Sequence, residues 1–346
     1  IKKAKLRGVK SNGMICSGKE LQFNNDHDGI LIIDTSLPLG TPIESVLSFN
    51  EETIFELDLT PNRGDCFSHY GIAREISIVQ NSKIKTRVPS IVENSESIDS
   101  YIKVNNYDYN SCPRYTARII RNIKVGPSPQ WLRDKLESIG QKSINNIVDA
   151  ANFVLFDTGH PMHTFDYDKI SSKSIGVRLA KNGEKFTTLD NKEHTLDDFH
   201  LLICDGDIPI ALAGIMGGKN SEIDSSTTTI IIESAYFEPT IIRKGAKRLD
   251  ISTEASKRFE RDTDIEFIIP ALNQLSALII EVAGGEIVGG IVDIYPAIKE
   301  INKIKFSIKN CNTFLGTNIS KEDMKLFLNK ISVTTDDLGD VLICEI

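Results

Sequence analysis

The chain has 346 residues, with 40 basic and 48 acidic side chains for a net charge of −8, and 40% apolar content. That balance excludes a disordered chain, and its acidic sign excludes a protein that coats nucleic acid by charge alone. No apolar run approaches the ~18 residues of a membrane-spanning helix, and at ~150 residues per domain the length predicts two to three domains.

Residues 1–85 read as short strands and turns. Strands are expected at 6–9 and 29–33, with Ser11-Asn-Gly13 as a turn. An alternating strand from Phe55 stops at Pro61, and a helix starts near Ser68. The polar stretch 81–100, which holds Pro89, predicts a linker, most of it at 86–100.

From about 101 the pattern becomes mixed α and β. Ser128 and Pro129 precede Trp131, Leu132, Leu136 and Ile139, and Gly140 follows. This is a punctuated helix: Ser128 caps an orphan N–H, Pro129 pre-sets φ, and Gly140 supplies the left-handed stop. A second helix is expected from Ser143 through Ile147, Val148 and Val154 to Gly159. Strands at 199–204 and 208–212 flank a hairpin signal, Asp205-Gly206, and another strand covers 228–233. The segments 238–249, 254–261 and 267–282 read as helices. A third unit starts near Asn302, where the capping box Ser320-Lys-Glu-Asp323 opens a helix within a strand–helix–strand pattern. The chain opens at Ile1 and closes on Val341-Leu-Ile-Cys-Glu-Ile346, a strand in progress, so it reads as a piece of a longer protein. The six cysteines stand singly without C-x-x-C spacing, which disfavours structural zinc and fits reduced thiols in a cytosolic protein.

Four constellations carry chemistry. Asn152 and His163 flank a polar loop, Asp157-Thr-Gly-His-Pro-Met-His-Thr-Phe-Asp166, in which His160, His163 and Asp166 form a candidate metal set. No zinc signature supports that set, and Pro161 prevents regular helix between the histidines, so no metal is assigned. In Ala211-Leu-Ala-Gly-Ile-Met-Gly-Gly218, glycines within an apolar strand mark close backbone approach. Glu233 ends a wholly apolar strand, either reaching solvent there or facing a ligand. Lys257, Arg258 and Arg261, near Arg243, Lys244, Lys247 and Arg248, form either a solvated face or a phosphate-facing patch.

Together these strings resemble the β subunit of bacterial phenylalanyl-tRNA synthetase. The resemblance is carried by Arg7-Gly-Val-Lys-Ser-Asn-Gly-Met-Ile-Cys-Ser17, Glu56-Leu-Asp-Leu-Thr-Pro-Asn-Arg-Gly-Asp-Cys66 and Asn146-Ile-Val-Asp149. It continues through Gly159-His-Pro-Met-His163, Ala213-Gly-Ile-Met-Gly-Gly218 and Ser256-Lys-Arg-Phe-Glu-Arg261. It implies a mixed α/β multidomain chain: a β-rich N-terminal unit (1–85, the end of a tRNA-binding OB-like region), then the linker 86–100. A central α+β B3/B4 editing domain (101–298) follows, and a truncated winged-helix-like B5 domain (299–346) closes the chain. The function implied is hydrolysis of tyrosine wrongly esterified to tRNA(Phe), with synthesis left to the α subunit of an α2β2 heterotetramer. ATP and magnesium serve the whole heterotetramer, with no cofactor in this stretch. Physically, a phenylalanine site cannot strongly reject an added hydroxyl, so a second site with a buried acceptor must do so.

The resemblance further implies that Glu233 reads the phenol, Thr253 and Ala255 shape the wall, and Gly214 and Gly217 let backbone approach the aminoacyl group. His163 and Asn152 would position adenosine or water, and Lys142 and Arg258 would contact tRNA. Lys142 and Ala151 stand where the family commonly has Arg and Thr, which opens a second reading, a tRNA-binding scaffold with a weakened editing site, while His160 stands where Gln is usual, which weakens the metal set further. Under the editing reading, His163, Gly214, Gly217, Glu233 and Thr253 converge on a pocket of ~300 Å³ or more, with Glu233 at its far end and His163 at its mouth.

Overall fold

The computed structural model describes residues 4–345 apart from 7, 12, 14, 22, 24–26, 28, 47–52, 86–88 and 299. Arg7, Asn12 and Met14 of the first family-like string, and 86–88 of the expected linker, lie outside the described residues. The chain forms two units, Ile1–Glu56 and Leu57–Ile346. In the first, β1 (Ala4–Leu6) and β2 (Val9–Ser11) pair antiparallel. The reversal lies at Gly8, whose φ of +88° closes the hairpin and breaks the single strand expected at 6–9, while the turn expected at 11–13 falls on Asn12, outside the described residues. No strand forms at 29–33: Leu31 N donates to Cys16 O, but among the described residues this grows into no ladder, and Ile32 stays exposed.

The second unit opens with α1 (His69–Gln80), where Ser68 accepts from Gly71 N at 2.9 Å, as the expected start near Ser68 requires. The alternating run before Pro61 forms no strand, and its Leu57 is exposed. Then come β3 (Glu93–Ser97), β4 (Lys103–Asn106), β5 (Arg114–Arg121), α2 (Gln130–Ser138), α3 (Asn146–Thr158), β6 (Met162–Asp166) and β7 (Ser174–Leu179). A small hairpin, β8 (Lys185–Thr187) and β9 (Glu193–Thr195), precedes β10 (Leu201–Asp205), β11 (Ile208–Leu212), β12 (Met216–Gly217) and β13 (Thr229–Tyr236). Three helices, α4 (Pro239–Leu249), α5 (Glu254–Phe259) and α6 (Ile268–Ala283), lead to β14 (Glu286–Gly289) and β15 (Val292–Ile294). The last stretch is β16 (Lys303–Ser307), α7 (Ile308–Leu315), α8 (Lys321–Lys330), β17 (Thr334–Asp337) and β18 (Val341–Glu345). It carries two helices where the sequence suggested one, and Ser320 caps the second through Asp323 N.

The strand alternation decides how the layers stack. One sheet runs β3-β14-β5-β13-β6, with β15 also on β5, and another runs β12-β11-β10-β7-β4. Ile231 and Ala235 of β13, Tyr115, Ala117 and Ile119 of β5, and Phe165 of β6 point into a core shared with Ile175, Val177, Leu202 and Ile203 of the second sheet. The residues between them, Ile230, Ile232 and Ile120, point the other way, against α3 and α6. The first sheet therefore has an apolar layer on each face, which is why β13 reads as a continuous apolar run. Residues 93–97, read from sequence as linker, are instead β3, the edge strand paired parallel to β14.

Two caps differ from expectation. Ser128 does not cap α2: its Oγ donates to the buried Asp149 at 2.5 Å, and Pro129 occupies the N-cap position. Asn145, not Ser143, caps α3 by accepting from the Ile147 and Val148 amides, while Ser143 also donates to Asp149. Gly159, φ +81°, ends α3 as expected.

Candidate active site

Glu233 sits in the middle of β13 and is 6% exposed, so the strand does not deliver it to solvent. It shares its face with Ile231 and Ala235, between the two sheets. Its direct partner on β6 is His163, and β5 brings in Tyr115 diagonally, through the Tyr115–Ala235 pair. The fully buried Tyr115 hydroxyl donates to Glu233 Oε2 at 2.9 Å. Burial pushes the Glu233 carboxyl up to about 7, and the bond from Tyr115 opposes that shift only in part. Burial also holds both His160 and His163 down near 4, so both are neutral at pH 7.

The opposite wall is the turn from β11 to β12. Gly214 lies in this turn, not within the strand as expected, with φ +65°. A Cβ there would meet Phe237, Phe259 and Ile242 at 3.0–3.1 Å. At Gly217 a Cβ would fall 2.6 Å from His163 Cε1 and 2.8 Å from Nε2, so the missing side chain is what seats the imidazole. Thr253 caps α5 by accepting from Ser256 N at 3.0 Å, and its hydroxyl donates to Ile215 O at 2.9 Å, tying the turn to the helix that carries Ala255.

His163, Gly214, Gly217, Glu233 and Ala255 line one cavity with Met162, Ala211–Met216 and Phe259. Its volume is about 70 Å³, well below the expected ~300 Å³. Glu233 and His163 are side by side on one wall, not at opposite ends, because they are cross-strand partners. Thr253 supports the wall without lining it. Asn152 does not line the cavity either: it lies on α3, which packs against the other face of the sheet. Tyr115 was not foreseen, since only strand pairing brings together residues 118 apart in sequence.

Arg258 is not available to a phosphate. It is 4% exposed, with Nε donating to Phe67 O at 3.0 Å, an ion pair to Glu254 at 2.9 Å and Phe156 stacked 4.9 Å away. Lys142 is exposed in the loop after α2. The histidine–aspartate metal set is not assembled: Asp166 accepts from Thr227 Oγ1 at 2.7 Å and from the Asp168 amide at 3.0 Å. Among the described residues the one cluster with metal-ligand spacing is Asp65, Cys66 and Glu75. Arg63 and Arg74 already neutralise its carboxylates at 2.6–2.9 Å, which does not suit a cation. A larger cavity, about 360 Å³, lies between Val92–Asn94 and Ala277, Ile280 and Glu286. Its carboxylates Glu93 and Glu286 are paired with Arg118 and Arg121, and no histidine lines it to activate its one hydroxyl, Ser90, so chemistry favours the smaller cavity.

Residues 111–284, half of the chain, match the family model of the B3/4 domain. The chain is 45% identical to the phenylalanine–tRNA ligase beta subunit of Geobacter metallireducens, over 99% of this chain and 43% of that protein. It is 46% identical to the same subunit of Geobacter sulfurreducens, over 97% and 42%, and 44% identical to that of Clostridium acetobutylicum, over 99% and 43%. The chain thus spans about two fifths of the length of the curated relatives it matches. A solved N-terminal fragment of the Pyrococcus horikoshii phenylalanyl-tRNA synthetase beta subunit aligns with 82% of this chain and 78% of its own, at 15% identity and a TM-score of 0.39. The resemblance read from the sequence is borne out: the chain belongs to the B3/4 domain family and is a relative of phenylalanine–tRNA ligase beta subunits.

Proposed function

We propose that this chain is part of a phenylalanine–tRNA ligase beta subunit and that the Glu233 cavity hydrolyses tyrosine mis-esterified to tRNA(Phe). The observation that supports it is a buried carboxylate, in a cavity otherwise lined by His163 and apolar residues, that already accepts a phenol hydroxyl from its own chain. A tyrosyl group would offer Glu233 the same hydroxyl, whereas a phenylalanyl group would leave its free oxygen unpaired, at roughly 1–3 kcal/mol or more. Hydrolysis then needs little beyond a held water, because the aminoacyl ester is activated and proximity supplies much of the barrier reduction. His163, neutral and seated on Gly217, fits the orienting role, and Asn152 falls out of it. tRNA contact is better assigned to the outer face of α4 than to Arg258. Arg243 and Lys247 are exposed there, four residues apart, with no ion-pair partner among the described residues. The α subunit, an α2β2 assembly, ATP and magnesium for synthesis and a cytoplasmic location follow from the same reading; among the described residues no helix is long and apolar enough to cross a membrane.

One observation favours the scaffold reading. A cavity of about 70 Å³ does not admit a tyrosyl side chain unless the Gly214–Gly217 turn or Met216 moves. Deacylation of tyrosyl- and phenylalanyl-tRNA(Phe) by the complete protein separates the two. Editing predicts rapid loss of the tyrosyl ester, with the preference lost in Glu233→Ala. A protein that binds tRNA(Phe) and leaves both esters intact would be the scaffold.

A further inference from the structure

We propose that Tyr115 is a positioning residue that sets the specificity of this cavity, committing one oxygen of Glu233 so that the other alone meets a ligand hydroxyl. The inference rests on the editing reading and adds to it the group that orients the carboxylate. Tyr115 is fully buried on β5, and its neighbours on both strands fix it: Ala235 is its partner on β13 and Ile294 its partner on β15. Its hydroxyl reaches Oε2 at 2.9 Å, while Oε1 has no partner among the described residues and is left to the cavity that Glu233 lines. A carboxylate bonded at one oxygen by a fixed phenol cannot rotate freely about its terminal torsion, so the acceptor direction toward the cavity is preset. Without Tyr115 the group would be free to turn, and either oxygen could face away.

The bond also bears on charge. A donor to the ionised form favours ionisation, and Tyr115 is the one group that pulls Glu233 down against burial. The other titratable groups nearby stay silent around neutrality. His163 on β6 is held near 4, the Cys112 thiol before β5 is raised well above its usual range, and so is the Tyr115 hydroxyl itself. From the second sheet and α5 the lining residues Ala211–Gly217, Ala255 and Phe259 bring no titratable side chain. Selectivity for tyrosine between pH 5.5 and 8.5 therefore follows the ionisation of Glu233.

The test measures kcat/KM for tyrosyl- and phenylalanyl-tRNA(Phe) hydrolysis across that pH range, using the complete protein with any subunit it assembles with. Tyr115→Phe keeps the ring and removes the donor. It should lower the tyrosyl-over-phenylalanyl ratio roughly tenfold or more and move the midpoint of its pH dependence upward. Incorporating 3-fluorotyrosine at position 115, a more acidic phenol of nearly the same size, should move that midpoint downward and guards against a folding defect in the first variant. Equal losses on both esters with an unmoved midpoint would mean that Tyr115 only packs, and would overturn the assignment. So would a Tyr115→Phe enzyme with a higher ratio, since Tyr115 would then be competing with the ligand. A wild-type protein that hydrolyses neither ester would instead remove the editing reading, a failure visible before any variant is made.

Discussion

At the residue scale, the site is built by subtraction as much as by functional groups. Gly217 presents bare backbone to His163, so the imidazole sits where any Cβ would stand. Gly217→Ala therefore cannot be accommodated without moving the ring or the turn. Its backbone φ is not positive, so the effect is steric and local and does not arise from conformational strain. The expected outcome is a loss of roughly 10–100-fold in tyrosyl-ester hydrolysis, since displacing an orienting group by about 1 Å costs on that order. The accompanying stability loss should be about 1–3 kcal/mol. Deacylation rates and urea midpoints check both; wild-type hydrolysis by Gly217→Ala would mean that the seat of His163 does not matter. Gly214 differs. Its left-handed φ and its contacts with Phe237, Phe259 and Ile242 both oppose a side chain, so Gly214→Ala should destabilise more than Gly217→Ala.

At the scale of elements, what was legible in the sequence was what is local. The helix from Ser68, the stop at Gly159 and the helix start at Ser320 each depend on residues within four positions and formed as expected, although only the Ser320 half of the capping box is made. Pairing is not local. Residues 29–33 have strand composition but pair with no strand among the described residues, whereas the polar run at 93–97 is a strand because β14 lies beside it. Ser128 was misread for the same reason, as Asp149, 21 residues on, takes its hydroxyl. The site divides likewise: its strings marked Glu233, His163 and the glycines, but Tyr115 and the exclusion of Asn152 follow from the register of β5, β13 and β6 and the face that α3 covers. The Asn146–Asp149 string proves architectural. Asn146 Nδ2 donates to Lys124 O and Val282 O at 2.9 and 3.1 Å, and its Oδ1 accepts from Gly126 N at 3.0 Å, binding α3 to the loop after β5 and to the end of α6. Asn146→Ala should cost about 1–3 kcal/mol, because it leaves three partly buried backbone groups without their partner. Chemical denaturation measures this, and a cost under ~1 kcal/mol would show that these groups find other partners.

At the scale of the whole molecule, the same buried groups tie the cavity to global stability through pH, with opposing signs. His160 and His163 have folded values near 4 against an ordinary 6.5. The unfolded chain thus binds more protons than the folded one between those values, and stability present above 6.5 is lost as pH falls through 4. Glu233 runs the other way. Its folded value of about 7 lies above the ordinary 4.5, so its contribution is full below 4.5 and is lost as pH rises through 7. Between 4.5 and 6.5 the two histidines outweigh the single carboxyl, and stability from these three groups climbs with pH. Above 6.5 only the carboxyl still changes, and the trend reverses. Glu233→Gln mimics the protonated side chain and removes that reversal. The variant should match the wild type at pH 4.5 and exceed it by roughly 3 kcal/mol at pH 8, in proportion to the shift in the carboxyl. Urea unfolding at half-unit pH steps tests this, and parallel curves for the two proteins would mean that Glu233 ionises as freely in the fold as outside it. If instead they diverge between pH 4.5 and 7 and run parallel above that, an ionised Glu233 opposes the stability of the fold. That is the cost expected of a buried carboxylate kept for binding a hydroxyl.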